Sequence, residues 1–552
     1  MKKRIRTIQI LAALFWGVIF VGASTAAAQE KPLTVAESSR YQATSRYDDV
    51  MSFIRSLQRL SPNVRVETLA RSAEGRDIPL LVLGKPLPLV PSPLRQDKRG
   101  VVYIQANIHA GEVEGKEASL VLARDILLSP DLPYLDKLII LIAPIFNADG
   151  NEKIRPENRP HQGGPKEGVG VRYNGQNLDL NRDSIKLESP ELRGLVANVL
   201  LHWDPLLLID CHTTNGSYHE EVVTYSWGLN PNGDAGILAH QRDKMMPEIE
   251  TILEEKYGTP AAGYGGFRDF RAPDKGWQTF EPQPRYVTNY IGLRNRFSIL
   301  DENYVYADFK ARVMGNYHFL RAILDYCSAH WEEIEHLAAE ADRRTVLRGL
   351  DPGPDDPFFV EYELRPLRNP VTIHAYETEV IPQGEGRRPR LRATEKVNVL
   401  TIPYYSDWIG KRRVSIPYAY VLGVPDADVA AKLRQHGLVL EKLNEAVNLE
   451  VEVFKLTEFK AAERAYQGHH LNQAKGEYAL ETREFPAGTI IIPTAQPLGR
   501  LAAYLLEPES DDGLLAWNFF DRYLVPQWSR ELPDYPVYKL LKPVNLVKEL
   551  VR

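Results

Sequence analysis

Cysteine is almost absent from this chain. Cys211 and Cys327 are the two in 552 residues, which excludes a disulfide framework, although an oxidising compartment would permit one bridge. Cys211 falls inside an apolar strand-like run, so it reads as a small buried side chain. Basic tracts are missing beyond the first residues, and the formal net charge is only -6. That argues against nucleic acid as a partner. After the N-terminus no segment is long and apolar enough to span a bilayer. Internal repeats and low-complexity stretches are lacking too. With ordinary apolar and charged fractions, 44% and 25%, the chain reads as soluble and globular. It is too long for one core, so about two to four domains are expected.

What is present begins with "MKKRIR", a basic head, then "IQILAALFWGVIFVGA", an apolar stretch, then "STAAAQ" with small residues at Ala26 and Ala28. This is a signal-peptide pattern, with cleavage expected before Gln29. A single membrane anchor is the competing reading. The run is a little short to span, and the small-residue site favours cleavage. No cysteine directly follows the apolar stretch, so lipid attachment there is excluded. The expectation is an exported protein, periplasmic or extracellular in a bacterium, with residues 1–28 removed and no stable membrane insertion afterwards.

From 100 to about 330, apolar runs alternate with helical patterns. The strands read "VVYIQANI", "KLIILIAPIF", "DPLLLIDCH" and "NRFSILDE", and the helices "GKEASLVLARDILLS", "ESPELRGLVANVLLHW" and "ADFKARVMGNYHFLRAILDYCSAHWEEI". Continuous rather than alternating apolar strands imply burial on both faces. The expected fold class is therefore α/β, a mostly parallel mixed sheet flanked by helices, over residues 29–345. In such folds ligands collect beyond the carboxyl ends of the strands. "GLDPGPDDP" near 349–357 reads as a linker. Beyond it, 358–552 reads as a smaller β-rich α+β accessory domain of unassigned role.

Three of the four strands end in groups able to bind metal or move protons. The first runs into His109, with Glu112 just beyond, the third into His212, and the fourth into Glu302. Parallel strand ends share one rim, so these side chains can meet. Two imidazoles and one carboxylate on a tetrahedral zinc leave a fourth position for water, which is the ligand count of catalytic sites. Glu302, outside the metal shell, suits a general base. Asp301 competes with it, but strand alternation sends the two to opposite faces. Between the strands lies "NGQNLDLNRDS", in which Arg182 offers a fork matched to a carboxylate and Asn181 an adjacent amide. Asp179 could fix the tautomer of a zinc-bound imidazole.

HxxE, "LDLNRD", "DCHTT" and a strand-end glutamate, in this order over roughly residues 45–330, resemble the zinc carboxypeptidase family of metallopeptidases. "FNADG" at 146–150 resembles that family's Asn-Pro-Asp-Gly turn, with Ala148 where proline is usual. The resemblance implies one zinc per chain on His109, Glu112 and His212, Glu302 as general base, and Asn181 with Arg182 as the clamp on the substrate's terminal carboxylate. It also implies an arginine that polarises the scissile carbonyl. Arg155, Arg159 and Arg172 are the candidates, with Arg159 preferred. A mobile tyrosine is expected at Tyr286 or Tyr290, with Tyr290 preferred because a glycine follows shortly. "GYGGFRDFRAPDKGWQTFEPQPR" is expected to be a long loop entering the cleft.

Taken singly, His109 and Glu112 are more often a turn that opens a helix, and Glu114 and Glu117 are carboxylates favoured by the helix dipole. His202, His219, His469 and His470 read as surface or core residues, with a place lining the cleft as the alternative for His219. The implied activity is removal of a C-terminal residue from a peptide or cell-wall peptide. Rival readings are a zinc amidase or deacylase acting on small N-acyl amino acids, and a peptide-binding protein on the same fold without catalysis. The last is disfavoured because neither the glutamate nor any ligand is missing.

Overall fold

The computed structural model describes residues 31–88, 97–214, 216–353, 357–381, 390–525, 528 and 531–551. The segment read as a signal peptide, 1–28, lies outside them. An eight-stranded sheet forms the N-terminal half. Its strands run across the sheet as Val64–Arg71, Asp77–Leu83, Leu138–Ala143, Gly100–Ala106, Leu207–Thr214, Phe297–Tyr304, Val223–Trp227 and Ala261–Gly263. The central four pair parallel. Antiparallel contacts join Asp77–Leu83 and Val223–Trp227 to this core. The sheet is thus mixed and mostly parallel at its centre, as the continuous apolar runs predict. Every residue of Gly100–Ala106, Leu138–Ala143 and Leu207–Thr214 is buried, because helices cover both faces.

The helix Phe309–Leu350 packs along one face and kinks at His330, where φ is -118°. It runs well past the last residue, 334, of its sequence pattern. Beyond it come Pro357–Pro366, paired with Tyr404–Ser415, the hairpin Val371–Ile381 with Arg390–Ile402, and a seven-stranded sheet centred on Ala419–Leu422 and Val537–Leu540. The loop at 263–285 does not stand alone. Trp277–Gln278 runs parallel to Tyr404 and Tyr405, so one sheet contains strands from both halves. The apolar core is shared as well. Ala338 and Ala341 of the long helix belong to one buried cluster with Phe358, Leu433, Leu501 and Trp517. A fully buried large apolar side chain contributes about 1.5–3 kcal/mol, so parting the halves would expose a substantial share of that stabilisation.

Candidate metal centre

The turn after Gly100–Ala106 explains its own sequence. Asn107 takes a left-handed φ of 65°, which asparagine tolerates better than most residues, and its Nδ2 donates to the Glu112 carbonyl at 3.0 Å. The Glu112 amide donates to the His109 carbonyl at 2.9 Å. These two bonds curl the chain so that the His109 and Glu112 side chains lie together. Gly111 must be small, since a Cβ there would sit 2.6 Å from Cδ of Arg159. The helix Glu114–Leu128 follows, and Gly115 lets it press on the next strand, where an added Cβ would lie 2.5 Å from Cβ of Cys211.

His212 and Glu302 come from neighbouring parallel strands whose register pairs them directly. Alternation along a strand puts both on one face. Asp301, paired with Cys211, points to the other face, where Asn316 Nδ2 donates to it at 2.6 Å. Asp210, two residues before His212, shares the histidine's face, and its Oδ2 is 2.8 Å from His212 Nε2.

The four elements converge. His109 Nδ1 lies 3.2 Å from Glu112 Oε2, His212 Nδ1 lies 3.1 Å from the same oxygen, and the two Nδ1 atoms are 3.3 Å apart. Among the described residues this is the one group of His, Cys, Asp or Glu whose possible ligand atoms meet this closely. Each Nε2 faces a carboxylate, Asp179 at 3.0 Å and Asp210 at 2.8 Å. The protons therefore belong on Nε2, and both Nδ1 lone pairs aim at the Glu112 oxygen. Three acceptors facing one another repel unless a cation sits between them. Tetrahedral zinc with bonds of about 2.0 Å sets its ligand atoms about 3.3 Å apart, so the donor set fits that ion in chemistry and in span.

The surrounding charges agree. Burial disfavours a charged His212, yet Asp210, Glu112 and Glu302 outweigh it and raise the imidazole's affinity for a proton. Burial also works against an ionised Asp179, but His109, Arg172 and Arg182 hold that carboxyl well below the usual range. The pocket thus favours positive charge at its centre. For Glu302 burial dominates, and with the Glu112 charge it raises the carboxyl above the ordinary glutamate range, against the pull of His212, Arg159 and Arg172.

Of the candidate arginines, Arg159 reaches the centre. Its Nη1 is 2.8 Å from Glu112 Oε1 and its Nη2 donates to the Thr213 carbonyl at 3.0 Å. Arg172 stands behind, with Nε on Asp179 at 2.7 Å and Nη1 3.9 Å from Glu112. Arg155 is exposed and joins a backbone bridge to Val169. Asn181 uses its Oδ1 to accept from the Val287 amide at 2.9 Å, and its Nδ2 lies 3.4 Å from His212 Nε2. Arg182 stacks on the ring of Tyr286 at 4.3 Å.

Tyr290 requires correction. It is 1% exposed, its hydroxyl lies 2.8 Å from His436 Nδ1, and Arg294 donates to it at 3.1 Å. A side chain enclosed by these partners has no freedom to swing into a cleft. Of the two candidates it is Tyr286, stacked under Arg182, that lies beside the site; it precedes the helix Val287–Gly292 instead of lying within it. Glu114 and Glu117 are also more than dipole partners. Glu114 accepts from the Thr213 hydroxyl and pairs with Arg312, and Glu117 accepts from Thr44 and Ser45. His219 is buried against Tyr304 and Trp277. Of the long loop, Tyr264 at its start lies near Thr214 and Glu302.

Residues 50–194 match the family model described as zinc carboxypeptidase. Over this stretch the chain is similar to that family. The matched stretch holds His109, Glu112, Asp179, Asn181 and Arg182 and ends before His212 and Glu302, which strand pairing brings to the same rim. Among solved structures, a metallo-carboxypeptidase from Burkholderia cenocepacia shares 19% identity over 51% of this chain and 69% of its own, with a TM-score of 0.37. A metallo-carboxypeptidase from Pseudomonas aeruginosa shares 16% over 52% and 69%, at 0.38. A carboxypeptidase A from Helicoverpa armigera shares 17% over 51% and 74%, at 0.37. A likeness of this size carries no argument of its own. Comparison with curated proteins gives no match.

Asp210 went unnoticed in the sequence, although the Asp-x-His spacing on a strand was its signal. Asp210→Asn keeps the shape but weakens the hold on His212 Nε2. Zinc affinity of the purified protein, measured by competition with a chromogenic chelator, should fall about 10–100-fold. An unchanged affinity would remove Asp210 from the site.

Proposed function

We propose that this protein is an exported zinc-dependent carboxypeptidase, one zinc per chain, that hydrolyses the C-terminal bond of peptide or cell-wall peptide substrates. The observation that carries the reading is Glu302. Its Oε2 is enclosed and has no hydrogen-bond partner among the described residues, and it stands in register with His212 on the histidines' face. A buried carboxylate oxygen with no partner is costly, and its position suits it to receive a proton.

Zinc held by His109, Glu112 and His212 would supply the Lewis acidity that makes water a nucleophile near neutral pH. Glu302 then takes the proton from the attacking water onto its carboxylate and delivers it to the leaving amine. Arg159, tethered to Glu112 Oε1 and the Thr213 carbonyl, donates to the carbonyl oxygen as negative charge develops there. Asp179 and Asp210 hold the two imidazoles in one tautomer. Arg182 and Asn181, on the rim, bind the terminal carboxylate and set which bond meets Glu302. Export is supported by the basic head and apolar run at the N-terminus.

The test is a peptide offered as the free acid and as its C-terminal amide. The wild type should cleave the free acid about 10–100-fold faster, the worth of a hydrogen bond to a charged group. Arg182→Ala should lose a similar factor on the free acid and little on the amide, and Arg182→Lys should regain only part. Equal cleavage of acid and amide by the wild type would point to an endopeptidase or an amidase instead.

A further inference from the structure

A turn of the C-terminal half reaches the rim of the metal centre. It joins the strands Val447–Ala461 and Asn472–Phe485. Tyr466 and His469 exchange backbone hydrogen bonds at 2.7 and 3.0 Å. The two residues between them, Gln467 and Gly468, have φ of 50° and 83°. This is the tight hairpin turn that needs left-handed backbone at both central positions, where asparagine or glycine is the usual first residue. Glutamine there is unexpected until its side chain is followed. Its Oε1 accepts from the backbone amide of Asp179 at 3.0 Å, across 288 positions of sequence. The turn is shaped by what it touches.

Its neighbour touches more. The Tyr466 hydroxyl accepts from Arg182 Nε at 2.9 Å. Arg182 Nη1 donates to the Asn181 carbonyl at 2.7 Å, and the guanidinium face lies on Tyr286. Nη2 is left as the fork's one nitrogen without a protein partner among the described residues. Arg182, Tyr286 and Tyr466 are all partly exposed, so they meet at a solvent-facing wall. The turn is itself braced. His469 Nε2 is 2.7 Å from Glu188, and Arg285, paired with Asp512 at 2.9 Å, lies over the Tyr466 ring at 5.2 Å.

We infer that this turn is a wall of the active site and that Tyr466 is a positioning residue, which orients the Arg182 fork for the substrate's terminal carboxylate. The inference rests on the carboxypeptidase reading. It makes the C-terminal half part of the recognition apparatus. An arginine side chain has many rotamers, and one fixed at Nε and on its ring face loses less freedom on binding an anion. Removing the hydroxyl while keeping the ring should therefore cost affinity for the carboxylate and leave the chemistry at the metal intact.

The experiment uses the full-length mature enzyme and the Tyr466→Phe variant, with kcat and KM measured on one peptide as free acid and as amide. Zinc content and Tm are expected to equal those of the wild type. On the free acid kcat/KM should drop roughly tenfold, chiefly through KM, the worth of one charge-assisted hydrogen bond. On the amide it should stay within about twofold, by the same reasoning. Adding Tyr466→Phe to Arg182→Ala should cost little beyond Arg182→Ala alone, because the two changes act on one contact. A free-acid rate that survives Tyr466→Phe, or an equal loss on acid and amide, would overturn the role assigned to Tyr466 while leaving the carboxypeptidase reading in place. A wild type indifferent to amidation would remove that reading first, and the role of Tyr466 with it.

Discussion

Glu302→Gln is expected to keep the fold and the zinc and to lose about 10²–10⁴-fold in kcat. The amide has the shape of the carboxylate, but its oxygen is a far weaker base and its nitrogen presents protons where one must be received. The fold should be spared, because among the described residues Glu302 Oε2 has no hydrogen-bond partner to lose. The strand is held through backbone partners on both sides, His212 in one neighbour and Thr224 in the other. Asp301→Asn is the control. Asp301 faces the long helix, away from the metal centre, where Asn316 donates to it at 2.6 Å and burial raises its carboxyl above the ordinary range. The amide there should leave kcat within about threefold, a change of under 1 kcal/mol. Steady-state kinetics with parallel zinc analysis decide the matter. A dead Asp301→Asn beside an active Glu302→Gln would place the base one residue earlier.

His212→Ala should abolish both the zinc and the turnover. The wild type is expected to hold about one tightly bound zinc per chain with three protein ligands. Removing His212 leaves two, and it also strands Asp210, whose Oδ2 loses its imidazole partner in a buried setting. Retained metal should fall below about a tenth of an equivalent after dialysis, because a site with one ligand fewer binds far more weakly. Elemental analysis of the purified protein is the measurement. Zinc content that survives the substitution would show that the ion sits elsewhere and that the convergence of His109, Glu112 and His212 has another purpose.

Much of the catalytic half was legible because its strands are buried on both faces and so appear as unbroken apolar runs. The same runs ended at His109, His212 and Glu302, and strand alternation alone was enough to separate Glu302 from Asp301. Legibility failed where position depends on contacts distant in sequence. Nothing around Tyr290 reveals that His436 will enclose it, so the glycine after it suggested a mobility that burial removes. Tyr466 and Gln467 lie among polar residues of a hairpin turn and resemble surface residues until the hairpin is docked. The edge strand Val64–Arg71 leaves no apolar run in the sequence, since it is largely not buried and carries charge. The loop at 263–285 was recognised as long, but its two-residue strand at Trp277 becomes apparent only when Tyr404 is there to pair with it.

The buried cluster that unites Ala338 and Ala341 with Leu501 and Trp517 bears on how this chain reaches its native state. Bringing together partners more than 150 positions apart costs loop-closure entropy before any apolar surface is rewarded with burial. The N-terminal sheet can assemble from nearer contacts, but the flank of its long helix stays bare until the last fifth of the polypeptide arrives and docks. A chain cut short before Leu501 should therefore expose that flank, and would be expected to aggregate more readily than the full-length protein.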